Sequence, residues 1–332
     1  MRLAWIEVGD FRSHGKLSLE IPEGLTAVVG PNARGKTNLL EAVHYLLALE
    51  SARVSVDPPL VRLGAESAFL RGEVETAGGR VLIEVEVRAG GQNQVRVNRS
   101  PVRRKRDLRR LVRSVFCGPD DIRVVQGEPG ERRRFMDEAV RALWPVREPA
   151  AAAYERALRQ RNRLLKDWLG SGEPPGLEGW DRELARRGAA LTEARAQAVS
   201  NIAQRASEEF ERLTAEPEES LVVEYRPSVE GSPLEERFMS RLAERRSDEL
   251  ARRATLVGPH RDELALTVQG LAVRGFASHG EAWGAAVSLR LALAGAVAVE
   301  IGETPVTVLD DPFSGLDPAR RRRLGEGLAG RG

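Results

Sequence analysis

The sequence predicts an α/β fold: a head with mixed β-sheets, built from both ends of the chain, into which an α-helical arm is inserted. Alternating apolar residues mark strands in the first hundred residues, whereas Ala, Arg, Glu and Leu at helical spacing dominate 131–215. Strand and helix patterns return near the C-terminal end. We therefore expect the N-terminal part of the head over 1–120, the arm over 121–253 and the C-terminal part of the head over 254–332.

The N-terminal part of the head reads as strands interrupted by one helix. The strands are expected over 3–8, 17–21, Leu25–Val29, 69–74, 81–87 and 95–97. The first two form a hairpin, and glycine pairs separate the later ones, which is typical of an antiparallel sheet. Leu25–Val29 is a continuous apolar run and predicts a short buried strand, and 37–49 has the spacing of a helix.

The elements of the arm and of the C-terminal part of the head are predicted from the same kinds of pattern. The Gly-rich and Pro-rich segment 170–176 separates two helical stretches, which predicts an antiparallel helical hairpin. Another helix is expected over 233–253. The chain then predicts a strand over 264–268, a helix over 281–301 and a buried strand over 305–309.

Composition excludes several classes of protein. The chain has 332 residues, of which 30% are charged, and a formal net charge of +2. Its longest apolar run is interrupted by Arg290, and Glu7 precedes any hydrophobic stretch, so we expect neither a membrane span nor a signal peptide. The single cysteine, Cys117, excludes an internal disulfide and makes a zinc site unexpected. We expect a cytoplasmic protein with no membrane partner.

A phosphate-binding loop lies between the strand at 25–29 and the helix at 37–49. It fits the pattern GxxxxGK[ST] and comprises Gly30, Pro31, Asn32, Ala33, Arg34, Gly35, Lys36 and Thr37, followed by Asn38. Backbone N–H groups of such a loop converge on phosphates, the lysine neutralises their charge, and the threonine hydroxyl binds Mg²⁺. The loop therefore predicts a nucleotide site.

An apolar strand over 306–309 ends in two carboxylates, Asp310 and Asp311, as in a Walker B motif. Such a pair is often only a strand followed by a turn, but the phosphate-binding loop favours a catalytic role. We expect Asp310 to hold Mg²⁺ together with Thr37, and Asp311 to orient or deprotonate water.

Two further segments suggest a site shared between subunits. Ser278, Gly280 and Glu281 begin the helix predicted over 281–301, where they could form an ABC-type signature that grips the γ-phosphate bound to another subunit. A capped helix start explains the same residues equally well. Ser314 and Asp317 directly after the Walker B strand match a D-loop, which lies across such an interface.

The densest basic stretch lies between residues 99 and 113. Its candidate DNA contacts are Arg103, Arg104, Lys105, Arg106, Arg109 and Arg110. Clustered cations bind phosphates without reading bases, and the stretch lacks the interleaved aromatics typical of single-strand binding. A solvated arginine face is an equally good interpretation, because arginine supplies 47 of the 51 basic residues.

Together these motifs resemble the RecF family of ABC/SMC-like ATPases. The segment 119–137, with its Gly-x-Pro and Arg-rich run ending at Asp137, is similar to the hallmark of that family. Phe11-Arg12, Asn38 to Ala42, Ser51-Ala52-Arg53 and Gly258 to Asp262 match the family pattern in order. The resemblance implies an ABC-type P-loop ATPase head with an inserted arm.

The resemblance also implies a function in recombinational DNA repair, replication and the SOS response to DNA damage. Family members bind ATP and Mg²⁺, dimerise on ATP, bind duplex DNA near single-strand gaps or junctions, and help load RecA together with RecR and RecO. Hydrolysis of ATP in the family is weak, stimulated by DNA, and serves release.

Two departures from the family pattern lie in the motifs. Ala33 stands where the family usually has glycine, at a position where a positive φ favours glycine. Gly315 replaces an acidic residue, which makes the D-loop similar to that of transport ATPases.

Two other classes remain as alternatives. A transport ATPase subunit is disfavoured because 243 residues separate Gly35 from Ser278, far more than in that class. An SMC-like structural clamp is disfavoured because the predicted helical hairpin is too short for a long arm.

Overall fold

The computed structural model describes residues 1–215 and 220–330. The N-terminal head contains β1 (Arg2–Phe11), β2 (His14–Glu20), β3 (Ser67–Thr76), β4 (Gly79–Arg88), β5 (Gln94–Val97) and β6 (Ser100–Pro101). They form one sheet in the order β2-β1-β3-β4-β5-β6, and every neighbouring pair is antiparallel. The predicted hairpin and the three strands that follow it are confirmed.

Helix α1 (Lys36–Ala48) packs its apolar residues on this sheet and occupies the predicted position. At Gly72 in β3, a Cβ would lie 2.7 Å from Leu46 Cδ2 and 2.7 Å from the backbone oxygen of Trp5. Only glycine permits so close an approach between helix and sheet.

The prediction of a buried strand over Leu25–Val29 is wrong. Within the described residues this segment pairs with no strand, and Val29 is 89% exposed. An apolar run forms a buried strand only when another strand provides partners for its backbone hydrogen bonds. None of the described strands pairs with this segment.

The middle of the chain is mainly helical. It contains α2 (Lys105–Leu111), β7 (Ser114–Cys117), α3 (Ile122–Gln126), α4 (Pro129–Leu143), α5 (Pro149–Asp167), α6 (Leu177–Thr214), β8 (Leu221–Arg226), α7 (Leu234–Glu244) and α8 (Arg246–Arg252). Helices α5 and α6 form the predicted hairpin. The sequence interpretation missed β8, and the helix expected over 233–253 is two helices, because the backbone at Arg245 leaves helical geometry.

The C-terminal part returns to the head. It consists of β9 (Glu263–Val268), β10 (Leu271–Ala272), the single turn α9 (Val273–Phe276), α10 (His279–Ile301), β11 (Val306–Leu309) and α11 (Pro318–Ala329). Strands β8, β9 and β10 form a second antiparallel sheet, whereas β11 pairs parallel to β7. The expected strands and helix in this region are confirmed.

Helix α10 is the central helix of the larger core. Among the described residues it alone is long and apolar enough to cross a membrane, but 72% of that span is buried inside the protein. It packs against the second half of α6 and against α4. Because α4 and α6 share this core with α10, the packing is continuous across the domain boundaries expected at 120/121 and 253/254. Those boundaries remain a prediction.

Buried arginines join the arm to the head. Arg195 on α6 donates to both carboxylate oxygens of Asp137, at 2.8 and 3.0 Å, and contacts Asp262 at 3.2 Å. Arg290 on α10 pairs with Asp121 at 2.6 Å and with Glu138 at 2.5 Å. Breaking a buried pair by removing one partner typically costs about 3–5 kcal/mol, so these contacts fix the relative position of the helices.

Candidate nucleotide site

The phosphate-binding loop ends in a conformation that requires glycine. Gly35 has φ of +87°, and a Cβ there would lie 2.8 Å from Ser13 Oγ and 2.9 Å from the ring of His14. No side chain caps the N-terminus of α1, and its first turn carries no acidic residue. Its first N–H groups are therefore available to an anion, and the helix dipole favours negative charge there.

Lys36 folds back across the loop. Its Nζ donates to the backbone oxygens of Gly30 at 2.8 Å and of Pro31 at 3.0 Å. Phosphate oxygens can replace these carbonyl acceptors at the same ammonium group, which gives a stronger, charge-assisted hydrogen bond. The remaining predicted loop residues, Asn32, Ala33 and Arg34, are exposed around this position.

The loop and the Walker B strand meet at one contact. Thr37 Oγ1 donates to Asp310 Oδ1 at 3.0 Å, although 273 residues separate the two. The backbone N–H of Asp310 bonds to Cys117 O at 2.8 Å and so continues the β7–β11 ladder to the carboxylate. The predicted pairing of a hydroxyl with a carboxylate is thus present in the geometry.

The environment of Asp310 suits a cation. Burial raises the pKa of its carboxyl, the hydrogen bond from Thr37 opposes that shift, and the negative charge of Asp311 adds to it. A carboxylate that is costly to ionise in a buried site gains most from a nearby metal ion. Oxygen donors of this kind are the ligands that Mg²⁺ prefers.

Asp311 differs from its neighbour. It is exposed, and its backbone is left-handed with φ of +49°. Its backbone oxygen accepts the N–H of Ser314 at 3.1 Å, which turns the chain into the D-loop. The carboxylate is therefore free of the buried contacts that hold Asp310, as a residue that orients water requires.

The candidate signature begins α10 as a capping box. Ser278 Oγ accepts the N–H of Glu281 at 3.2 Å, and Glu281 accepts the N–H of Ser278 at 2.7 Å. Structural capping is thus confirmed for both residues. The side chain of Ser278 is nevertheless exposed, so it remains accessible to a second subunit.

The D-loop lies against the start of α10. A Cβ at Gly280 would lie 3.1 Å from the backbone oxygen of Gly315, and one at Gly315 would lie 2.9 Å from the His279 ring. Gly315 also has φ of +69°, a conformation that favours glycine. Asp317 caps α11 by accepting the N–H groups of Ala319 and Arg320.

Several residues that contact the loop or Asn38 were not assigned a role from sequence. His14 Nε2 lies 3.0 Å from Gly35 O, and Asn38 donates to Ser13 Oγ at 2.8 Å. Arg53 donates to Asn38 Oδ1 at 3.1 Å. The segments 11–14 and 51–53 therefore support the loop from two sides.

Glu41 joins these two segments through its carboxylate. It is fully buried and accepts Arg12 Nε at 2.9 Å, Arg12 Nη2 at 2.8 Å, Ser51 Oγ at 2.6 Å and Arg53 at 3.4 Å. In the sequence, these residues were marked only by their match to the RecF family pattern, because their contacts depend on tertiary packing.

The basic stretch divides into exposed and structural residues. Arg103, Arg104, Lys105 and Arg110 are exposed, and Arg106 is half-buried. Assigning Arg109 as a DNA contact is wrong, because it is buried and donates to Ala48 O at 2.8 Å. Its guanidinium also pairs with Glu50 and Glu148.

Comparison with known proteins identifies the family. The model of the RecF/RecN/SMC N terminal domain matches residues 2–331. A "DNA replication and repair protein RecF" from Streptomyces avermitilis is 43% identical over 99% of this chain and 91% of that relative. The chain belongs to the RecF family. A RecF relative from Kineococcus radiotolerans is 41% identical over 99% of this chain and 90% of its own length.

Solved structures agree with this assignment. The structure of the recombination mediator protein RecF-ATP in the RecFOR pathway has a TM-score of 0.88 and 29% identity, covering 99% of this chain and 89% of that one. An Smc head domain from Pyrococcus yayanosii has a TM-score of 0.56 at 15% identity, covering 98% of this chain and 89% of that one, and shows the fold alone. The ABC/SMC-like head with its inserted helices is therefore confirmed.

Ala33 provides a direct test of the loop geometry. Its φ is +62°, a conformation that costs an L-residue about 1–2 kcal/mol, so Ala33→Gly should raise the free energy of unfolding by up to ~1 kcal/mol. The exposed α6 residue Ala196 is the control, where the same change should cost ~1 kcal/mol. Urea unfolding of both variants measures the difference. Equal destabilisation would contradict the strained loop.

Proposed function

We propose that this protein is an ATP-dependent DNA-binding protein of recombinational repair and replication, and that ATP controls its dimerisation. The observation that carries the proposal is the contact between Thr37 and Asp310 beside Lys36 at the N-terminus of α1, which joins the phosphate-binding loop to the Walker B strand. The RecF neighbour with ATP supports the choice of nucleotide. We expect the protein to act in the cytoplasm.

In this proposal the loop from Gly30 to Asn38 binds ATP, and Lys36 neutralises the β- and γ-phosphates. Thr37 and Asp310 hold Mg²⁺, which supplies charge neutralisation on the phosphate oxygens. Asp311 orients the attacking water. Hydrolysis is weak and serves release of DNA, and DNA stimulates it.

A homodimer completes the site. Ser278, Gly280 and Glu281 start α10, whose exposed N-terminus offers N–H groups and a helix dipole to a phosphate. No hydrogen bond or ion pair joins this segment to the loop at 30–38 within the described part of the chain. In this proposal the γ-phosphate that it grips belongs to the partner subunit, with Ser314 and Asp317 at the interface.

The exposed cations Arg103, Arg104, Lys105 and Arg110, together with the half-buried Arg106, supply backbone contacts to DNA. Such contacts suit recognition of a duplex next to a gap or junction by shape. Membership of the RecF family and the RecFOR neighbour support RecR and RecO as partners. The family resemblance implies RecA as the protein that is loaded.

Nucleotide control of DNA binding tests the proposed function. A fluorescent duplex with a single-stranded gap should bind at least about tenfold more tightly in ATP than in ADP at one fixed salt concentration, since only ATP closes the dimer. Lys36→Met should remove the difference. Fluorescence anisotropy measures both, and equal affinity of the wild type in ATP and ADP would rule out a nucleotide-controlled DNA clamp.

Ser278 separates capping from a role in the partner's site. Ser278→Asp retains a good N-cap but places a negative charge against the partner's γ-phosphate, so folding and ATP binding should persist while ATP-dependent dimerisation is lost. Sedimentation velocity in ATP measures the dimer, and thermal unfolding without nucleotide controls for folding. Normal dimerisation of Ser278→Asp would exclude the role in the partner's site.

A further inference from the structure

A basic cleft lies between the head and the arm, away from the motifs of the nucleotide site. It has a volume of about 930 Å³ and is lined by the start of α2, by residues of α4, α5 and α6, and by His260. Two segments that match the RecF family pattern but have no role in the nucleotide site meet here. They are the Arg-rich run after Gly130 and the Gly258 to Asp262 segment.

More basic than acidic side chains line the cleft, and the two groups differ in how many of their members form ion pairs. Seven basic side chains and three acidic ones line it. All three acids are already paired: Asp137 with Arg195, Glu148 with Arg109, and Glu155 with Arg159. Four lining cations have no carboxylate partner among the described residues: Arg104, Lys105, Arg106 and Arg133. The positive charge of the cleft is therefore not neutralised internally.

Arg133 is a half-buried cation of this cleft. It donates to Asp262 O at 3.1 Å, and burial together with the neighbouring Arg195 lowers its pKa. Arg141, which also lines the cleft, has a buried Nε without a hydrogen-bond partner in the described structure. Buried donors normally have acceptors, so these guanidinium groups favour a bound anion.

The cleft offers no surface for base recognition. Its one aromatic ring, Tyr154, is buried and hydrogen-bonded through its hydroxyl to His260 Nδ1 at 2.6 Å. Burial lowers the pKa of His260 to about 4, so its ring is neutral and adds no charge at physiological pH. The first turns of α4 and α5 add helix N-termini, which attract anions.

We propose that this cleft binds the sugar-phosphate backbone of DNA, with Arg133 on α4 and Lys105 on α2 contacting successive phosphates. The inference rests on the proposed DNA-binding function and adds a contact surface to it. A polymer is favoured over a small anion because the exposed Arg103 directly precedes the cleft residues Arg104, Lys105 and Arg106 and adds a further cation that is unpaired in the part of the chain that the structure describes. A space of about 930 Å³ accommodates part of one backbone.

The test removes two cleft charges and compares them with two charges elsewhere. The cleft variant is Lys105→Ala with Arg133→Ala. The control is Arg182→Ala with Arg186→Ala, two exposed α6 arginines that are paired with Glu178 and Glu183. The total charge changes equally in both. ATP-dependent dimerisation of both variants checks that the fold and the nucleotide site are intact.

Anisotropy with the gapped duplex at several salt concentrations should show at least about tenfold weaker binding for the cleft variant. The slope of log K against log salt should fall by roughly 0.9 for each lost phosphate contact, and the control should match the wild type. If the cleft variant keeps the affinity and slope of a wild type that binds DNA, the cleft contact is overturned, while nucleotide-controlled DNA binding still stands.

Two other outcomes would also overturn the inference. Absence of DNA binding by the wild type removes the proposed function itself and the cleft inference with it. Calorimetric binding of inorganic tripolyphosphate that is lost in the cleft variant, with DNA affinity unchanged, would make the cleft a small-anion site instead.

Discussion

The hydrogen bond between Thr37 and Asp310 is the constraint on which the site depends. It joins the start of α1 to the end of β11, and it forms only if both ends of the chain build one head. Val308 and Phe116, from the parallel pair β11 and β7, pack into the same core as α1 and the six-stranded sheet. This packing places a buried carboxylate opposite a phosphate-binding loop, and the proposed metal and nucleotide binding depends on that placement.

Buried arginines explain why much of the family hallmark lies outside the nucleotide site. Asp121 holds Arg290 on α10, Arg132 pairs with Glu263 on β9, and Asp137 receives Arg195 from α6. These residues join the arm to the head and to the helix that begins with the candidate signature. Because each pair is costly to break, these contacts hold α10 in a fixed position against α4 and the start of α3.

Local patterns predicted most of the elements, because periodicity and glycine turns act within a few residues. The loop, α1, the hairpin and Asp310 were all accessible in this way. Burial could not be predicted in this way. Leu25–Val29 has the apolar pattern of a strand but pairs with no described strand. Arg109 resembles its exposed neighbours in sequence but is buried and donates to Ala48 O. The support of the loop by Glu41 and the basic cleft between head and arm also depend on contacts across the chain, which one sequence does not reveal.

The most direct measurement is a double-mutant cycle on MgATP affinity with Thr37→Val and Asp310→Asn. If both residues hold one metal ion beside the phosphates, their effects should be coupled by at least about 1 kcal/mol in Mg²⁺ and should become additive in EDTA. Isothermal titration calorimetry of the four proteins provides the affinities. Additive effects in Mg²⁺, within about 0.5 kcal/mol, would contradict a shared metal and nucleotide position.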